Sequence, residues 1–244
     1  MKINPTTQTI ANFFNNPTEQ FSVPAYQRRY AWGEPQLDAL FNDVNLLREG
    51  DTHLLGTVVL LADTHSPGVN RLELVDGQQR ITTLCILLRV LQENLNAEEH
   101  AEELGEIRKY LRCRSGNDIL HKIILGDLDR SDFMKIMGEM KADDLENKKL
   151  VQAMSSFSQK IRTENFDTIG FYRKLVNQVE LIRLDIGQAK DAYKLFETIN
   201  NRGLKLSSAD IIKNFLLGHG SILGPEILEE VKEKWSQLIL NLDK

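Results

Sequence analysis

The stretch Leu74-Val75-Asp76-Gly77-Gln78-Gln79-Arg80-Ile81-Thr82-Thr83-Leu84 contains the change from strand to helix on which the fold prediction rests. A strand with alternating apolar residues leads to Asp76, Gly77 permits a tight turn, and a helix begins one or two residues later. Free backbone N–H groups and the positive end of the helix dipole favour an anion at such a turn. The structural alternative is that Asp76 caps the helix while Arg80 forms a surface ion pair.

The side chains of this turn suit a phosphate ligand. The Arg80 guanidinium can bind a phosphate with two parallel hydrogen bonds. The amides of Gln78 and Gln79 can orient a water or a ribose hydroxyl, and Asp76 can hold Mg²⁺ through water. Helix propensity alone does not require two glutamines, an arginine and two threonines in the first turns, so we predict a nucleotide or nucleic-acid phosphate site here.

The flanking segments predict an α+β fold. The apolar run 54–61 and the alternating run 71–75 form a hairpin across Pro67-Gly68, and a helix follows over 81–95. A further strand is expected over 179–186. The pattern also predicts helices at 7–14, 34–47, 189–199 and 207–217, helical structure throughout 97–178 and in the tail, and a break at 218–225.

A second cluster, Tyr26-Gln27-Arg28-Arg29-Tyr30-Ala31-Trp32, combines aromatic rings with guanidinium groups. Such side chains stack on bases and contact phosphates in nucleic-acid-binding proteins. Alternatively, Tyr30 and Trp32 anchor this segment in the core while the arginines pair with acids. The spacing favours neither interpretation over the other.

A third cluster covers residues 196–203 and 206–214, where one helix ends and another begins. Helix capping explains Gly203, Ser207 and Asp210 without any function. It does not explain why four further polar residues lie so close together: Glu197, Asn200, Asn201 and Arg202.

Composition limits the possible functions. The 244 residues carry a net charge of −5, so nucleic-acid binding requires a local basic patch. The chain has no GxxxxGK[ST], GxGxxG or GxSxG motif and no His-Asn-His motif, and its five histidines lack metal-ligand spacing. We therefore do not expect nuclease activity from this chain alone.

The expected compartment is the cytoplasm. Cys85 and Cys113 lie in segments predicted to be helical and have no partner motif, which is typical of buried thiols in a reducing environment. No segment has the apolar character of a signal peptide or a membrane span. The tail helix keeps its apolar face to the last residues, which suggests that the native chain continues past Lys244.

The three clusters together resemble the GmrSD-type restriction endonuclease N-terminal domain family. The matching stretches are 23–32, 76–84 and 196–214, in family order, and they frame about residues 10–217. The most specific part is the string Asp-Gly-Gln-Gln-Arg-x-Thr-Thr-Leu. The resemblance implies a ParB/sulfiredoxin-like small mixed sheet core with a large helical extension. It divides the chain into a core (1–95), a helical insertion (96–178), a strand and helices that complete the core (179–217), and the start of a C-terminal helical region (218–244).

The resemblance also implies function. Family members defend against foreign, often modified, DNA by coupling hydrolysis of a nucleoside triphosphate to a His-Asn-His-type nuclease domain in the same polypeptide or in a partner. With Mg²⁺ as cofactor, the predicted catalytic residues are Asp76, which is also the metal ligand, Gln79, Arg80 and Glu197. The predicted nucleotide contacts are Gly77, Gln78, Arg80, Thr82, Thr83, Tyr26, Gln27, Asn200 and Arg202, and the predicted DNA contacts are Arg28, Arg29, Tyr30, Trp32 and Lys213. The alternatives are a non-catalytic module that senses nucleotide or DNA, and a structural subunit that binds a nuclease through the face of the tail helix at 227–238.

Overall fold

A computed structural model describes residues 5–62, 69–138, 145–200 and 208–242, without the side chains of residues 194, 196–200 and 208. It confirms the α+β prediction, because a six-stranded mixed sheet is covered by helices. The strands of this sheet are β1 (Thr6–Thr9), β2 (Glu19–Ser22), β3 (His53–Ala62), β4 (Asn70–Asp76), β7 (Ile123–Ile124) and β8 (Val179–Ile186), and a separate two-stranded sheet contains β5 (Arg112–Ser115) and β6 (Asp118–His121). The helices are α1 (Ile10–Phe14), α2 (Glu34–Leu46), α3 (Gln78–Asn94), α4 (Ala101–Leu111), α5 (Asp127–Ile136), α6 (Lys148–Ile161), α7 (Thr168–Gln178), α8 (Ala189–Asn200), α9 (Ser208–Leu223) and α10 (Pro225–Leu242).

The topology of the six-stranded sheet brings two of the sequence clusters together. The strand order is β1-β8-β3-β4-β2-β7, and the predicted β3–β4 hairpin is antiparallel, with Leu60 opposite Leu74. Strand β2 runs parallel to β4, with Ser22 opposite Glu73. Because parallel neighbours end at the same edge of a sheet, the loop of residues 23–33 after β2 emerges beside the turn from β4 into α3.

Helix α3 is the central helix of the fold. Eight of its apolar residues are completely buried: Ile81, Leu84, Cys85, Ile86, Leu87, Leu88, Val90 and Leu91. A helix that is apolar on nearly all sides is stable only inside a core, and α3 contacts α4, α6 and α7. The β4–α3 turn is therefore held between a central strand and a central helix.

The prediction of continuous helix over 97–178 was wrong for residues 112–124. Strands β5 and β6 form a hairpin there, closed by the two-residue turn Gly116-Asn117 with Gly116 at φ +60°. Strand β7 joins the main sheet beside β2, and Cys113 lies in a strand rather than a helix. The hairpin is rich in charged residues, so it lacks the clear apolar alternation from which strands are predicted.

Two helix boundaries also differ from the predictions. Helix α1 begins only at Ile10, because Thr9 ends strand β1 and caps the helix by accepting a hydrogen bond from the Asn12 N–H. Helix α9 continues through Gly218 and Gly220 to Leu223. A Cβ on Gly220 would lie 3.3 Å from Val231 Cγ2, so this glycine serves close packing of α9 on α10 rather than a break. No helix in the described parts of the chain is long and apolar enough to cross a membrane.

Candidate functional site

The turn between β4 and α3 depends on Gly77. Its φ of +96° is a left-handed conformation that favours glycine, and a Cβ there would lie 3.0 Å from Val58 Cγ2. No side chain caps the first turn of α3, whereas α6 is capped by Asn147 and α7 by Asp167. The structure confirms the predicted strand–turn–helix, and its helix begins with N–H groups that no side-chain cap occupies.

Gly77→Ala should lower the free energy of unfolding by about 1–3 kcal/mol, because it combines a disfavoured φ with a steric contact. Urea titration of both variants measures the loss. The control is Gly105→Ala in α4, where a Cβ meets nothing within 4 Å. This control should be stabilised by up to about 1 kcal/mol, since alanine favours helix. Equal stability of Gly77→Ala and wild type would contradict the role given to the turn.

Arg80 is fixed beside Asp76 by a small set of contacts. Its Nη2 lies 3.3 Å from Asp76 Oδ2 and donates a hydrogen bond of 2.5 Å to the Thr57 carbonyl. The guanidinium lies over Gly56, whose Cβ, if present, would be 3.4 Å from Arg80 Cζ. Arg80 Nε is buried and has no acceptor among the described residues. The side chain is therefore positioned in advance and still has a donor to offer.

Two further cations complete the charge cluster. Lys213 on α9 is 3% exposed, and its Nζ lies 2.7 Å from Gln27 Oε1 and 3.4 Å from Asp210 Oδ1. The Arg28 guanidinium is 53% exposed and lies 3.9 Å from Asp210 Oδ2. Among the described residues, three cations thus surround two carboxylates, Asp76 and Asp210, which leaves an excess of positive charge for an anionic ligand.

Burial perturbs the ionisation of this cluster. Loss of solvent raises the pKa of Asp76, although Arg80, the Gly77 N–H, Lys213 and Arg28 all act to lower it. Burial likewise lowers the pKa of Lys213, against the opposing effect of Asp210. Both groups are therefore less stable in their charged forms than in water, and a ligand that supplied opposite charge would relieve this.

The two glutamines fasten the 23–33 loop to α3. Gln78 Nε2 donates to the Arg28 carbonyl at 3.1 Å. Gln79 Nε2 donates to the Arg29 carbonyl at 3.2 Å, and its Oε1 accepts from the Ala31 N–H at 2.8 Å. Both ends of the Gln79 amide are thus engaged with the loop, which favours a positioning role over direct contact with a water.

The positions of the aromatic residues favour the anchoring alternative. Tyr30 is 4% exposed and donates from its hydroxyl to Thr83 Oγ1 at 2.7 Å, since that hydroxyl itself donates to the Gln79 carbonyl. Trp32 is half-buried against the core, and Tyr26 is buried and donates to Glu73. Burial raises the pKa of both tyrosines, so their hydroxyls stay protonated.

Asp129 organises the loop from the other side, although no sequence pattern predicts it. Its Oδ1 accepts from Arg29 Nε at 2.9 Å and from Asn147 Nδ2 at 2.8 Å, while Oδ2 accepts from the Tyr30 N–H at 2.5 Å. Asp129 is 5% exposed. Arg29 is therefore engaged inside the protein, unlike its neighbour Arg28. Only proximity in the fold identifies Asp129, because it lies 100 residues from Arg29 in the chain.

The other predicted site residues fall into two groups. Thr82 and Thr83 are buried in the first turns of α3, with Thr82 beside the loop. Arg202 lies outside the described residues, as do the side chains of Glu197 and Asn200.

Among the residues that the structure describes, no three histidine, cysteine or acidic side chains group as metal ligands. A single carboxylate, Asp76, still fits Mg²⁺, which commonly takes its remaining ligands from water and substrate phosphates.

Comparison with known proteins gave one family match. The family model described as GmrSD restriction endonuclease, N-terminal domain, matches residues 10–217, which include the β4–α3 turn, the 23–33 loop and most of α9. A search of curated proteins found no match to this chain.

Proposed function

This chain belongs to the GmrSD restriction endonuclease N-terminal domain family, and on that premise we propose that it binds and hydrolyses a nucleoside triphosphate at the β4–α3 turn. Membership gives the chain a role in a restriction system that defends its host. In the proposal, the nucleotide-dependent step regulates a nuclease domain of the His-Asn-His type. The observation that carries the proposal is the cluster of Arg28, Arg80 and Lys213 around the half-buried Asp76, beside a helix start without a side-chain cap.

Charge and geometry support the proposal of phosphate binding. Arg80 presents its guanidinium from a fixed position, and Lys213 adds a buried ammonium. Arg28 reaches solvent, so it can meet the ligand as it enters. Asp76 would hold Mg²⁺, directly or through water, and the ion would neutralise phosphate charge when bound.

Hydrolysis requires stabilisation of the charge that develops on the transferred phosphoryl group. Arg80 and Lys213 supply it from positions that need little rearrangement, which is the most effective form of electrostatic catalysis. The attacking water needs an orienting group. Both ends of the Gln79 amide hold the loop, so Gln79 is not free to orient the water. Glu197 stays a candidate from the sequence alone, because its side chain lies outside the described residues.

Phosphate release from GTP, ATP, CTP and UTP with Mg²⁺, with and without modified DNA, tests hydrolysis. We expect turnover of at least one nucleotide by wild type above the background of Arg80→Ala. The engaged Gln79 amide supports a second candidate, a module that senses nucleotide without turnover. Saturable calorimetric binding with no phosphate release would favour that module, and absence of both would contradict the site.

The perturbed pKa values predict a narrow pH range for hydrolysis. The raised pKa of Asp76 means that this carboxylate takes up a proton at higher pH than an ordinary aspartate as the pH falls. The lowered pKa of Lys213 means that its charge is lost at lower pH than in an ordinary lysine as the pH rises. Lys213→Arg should therefore extend the alkaline limb upwards, because a guanidinium stays charged. Superimposable pH–rate profiles of this variant and wild type would exclude Lys213 from the site.

A further inference from the structure

A second groove lies between α3, α4 and the β5–β6 hairpin, and none of its lining residues belongs to the β4–α3 charge cluster. Its volume is about 800 Å³, which suits an extended ligand better than a single ion. Five of its lining residues are basic: Arg89, Arg108, Lys109, Arg112 and Arg114. No acidic residue in the described parts of the chain lines it. We name this feature the basic groove.

Some cations of the basic groove already contact other side chains of the protein, and others do not. Arg89 is bonded to Gln92 at 3.1 Å and to Glu93 at 2.9 Å, and Arg112 contacts His121 at 3.1 Å. The other three, Arg108, Lys109 and Arg114, are exposed and form no ion pair with any described residue. In a chain of net charge −5, such a concentration of uncompensated positive charge is a local field that attracts polyanions.

The β5–β6 hairpin has a shape that fits the major groove of duplex DNA. Arg114 and Ile119 are directly opposite each other in the β5–β6 register, so their side chains lie on the same face. Both are exposed, Ile119 by 66%, although isoleucine is usually buried. The hairpin is a two-stranded sheet of its own, and a two-stranded ribbon fits the major groove of B-DNA, where an apolar side chain can meet thymine methyl groups.

Most of the residues that the sequence predicts to contact DNA are buried or already engaged inside the protein. Arg29 is held by Asp129, Tyr30 is buried, and Lys213 is 3% exposed. In the 23–33 loop only Arg28 extends its cation far into solvent. A DNA surface for this chain is therefore better sought among exposed cations elsewhere.

We propose that the basic groove binds duplex DNA, with Arg108, Lys109 and Arg114 on backbone phosphates and the Arg114–Ile119 face of the hairpin against the duplex. The choice of DNA among polyanions rests on the proposed function, since a restriction system acts on DNA. The groove itself uses no residue of the nucleotide site. Backbone binding of this kind is salt-dependent, because each neutralised phosphate releases counterions.

Fluorescence anisotropy with a labelled DNA duplex of two helical turns, measured over a salt series, tests the proposal. The groove variant is Arg108→Ala/Lys109→Ala/Arg114→Ala, and the control, Arg48→Ala/Lys148→Ala/Lys190→Ala, removes three exposed charges that do not line the groove. The groove variant should bind at least roughly tenfold more weakly, with a log–log salt slope smaller by about 2–3, whereas the control should bind like wild type.

A second variant distinguishes the loss of DNA contacts from a loss of structure in the hairpin. Arg108→Gln/Lys109→Gln changes only the exposed face of α4, leaves the hairpin intact, and should reduce the salt slope by about 2. Unchanged DNA affinity and slope in the groove variants would overturn the proposal. So would equal weakening in the control, absence of binding by wild type, or tighter binding of an RNA duplex of matched length.

The nucleotide-site proposal and the DNA-binding proposal can be contradicted independently of each other. Calorimetric nucleotide binding should be the same in the groove variant as in wild type, and Arg80→Ala should bind DNA like wild type. Loss of DNA binding in Arg80→Ala would place DNA at the β4–α3 turn and overturn the groove proposal. Absence of nucleotide binding in all variants, with normal salt-dependent DNA binding, would contradict the proposed function and leave the groove supported.

Discussion

Arg80→Ala should reduce phosphate release at least about 100-fold, because a fixed cation beside the transferred phosphoryl group acts mainly on the transition state. The structure positions this guanidinium by the Thr57 carbonyl, Asp76 and the surface of Gly56. Its loss would also leave Asp76 without its ion-pair partner. Initial rates at saturating Mg²⁺–nucleotide measure the effect.

The control for this prediction is Arg173→Ala. Arg173 is ion-paired to Glu103 at 2.8 Å on another face of the protein, so the variant also removes an ion-paired arginine. It should hydrolyse nucleotide at the wild-type rate. Arg80→Lys keeps the charge and loses the planar fork, and we expect an intermediate rate. A wild-type rate in Arg80→Ala, with its folding verified by circular dichroism, would remove Arg80 from the site.

Asp129→Ala should lower the free energy of unfolding by about 3 kcal/mol, the lower end of the range for a buried ion pair, because Asp129 is buried while Arg29 is partly exposed. The variant leaves Arg29 Nε, the Tyr30 N–H and Asn147 Nδ2 without their shared acceptor. Because these groups hold the 23–33 loop, the nucleotide site should loosen as well. Urea denaturation of the two proteins gives the difference.

Asp127→Ala is the matched control on the same helix. Asp127 is 60% exposed and pairs with Arg130, which is 53% exposed, at 3.1 Å. Exposed pairs contribute little, so this substitution should cost less than about 1 kcal/mol. If the two aspartate variants proved equally stable, Asp129 would not be the organising residue of the loop.

The β4–α3 turn was predictable because its signals are local. Apolar alternation ends at Asp76, the glycine at 77 marks a tight turn, and helical periodicity starts immediately. The β5–β6 hairpin lacked such signals. Its alternation is carried by Arg112, Cys113 and Arg114, where one small buried thiol stands between two charged side chains.

The contacts within the site depend on the path of the whole chain. Gln79 meets Ala31 across 48 positions, and Lys213 meets Gln27 across 186. The sequence indicated that these residue types suit a phosphate site. It could not indicate that Gln79 would be engaged by the loop or that Lys213 would be buried, because hydrogen-bond partners so far apart are set by tertiary packing rather than by local spacing.

Calorimetric titration of a non-hydrolysable nucleoside triphosphate with Mg²⁺ tests the central claim most directly, because it measures occupancy of the site whether or not hydrolysis follows. For wild type we predict saturable binding with one ligand per chain and a Kd within the usual range of KM values, roughly 1 μM to 1 mM. Arg80→Ala should bind the nucleotide more weakly than wild type, because one phosphate contact is lost, and Arg173→Ala should bind like wild type. Absence of binding by wild type to all four nucleotides, or equal affinity in Arg80→Ala, would contradict the assignment of the β4–α3 turn as a nucleotide site.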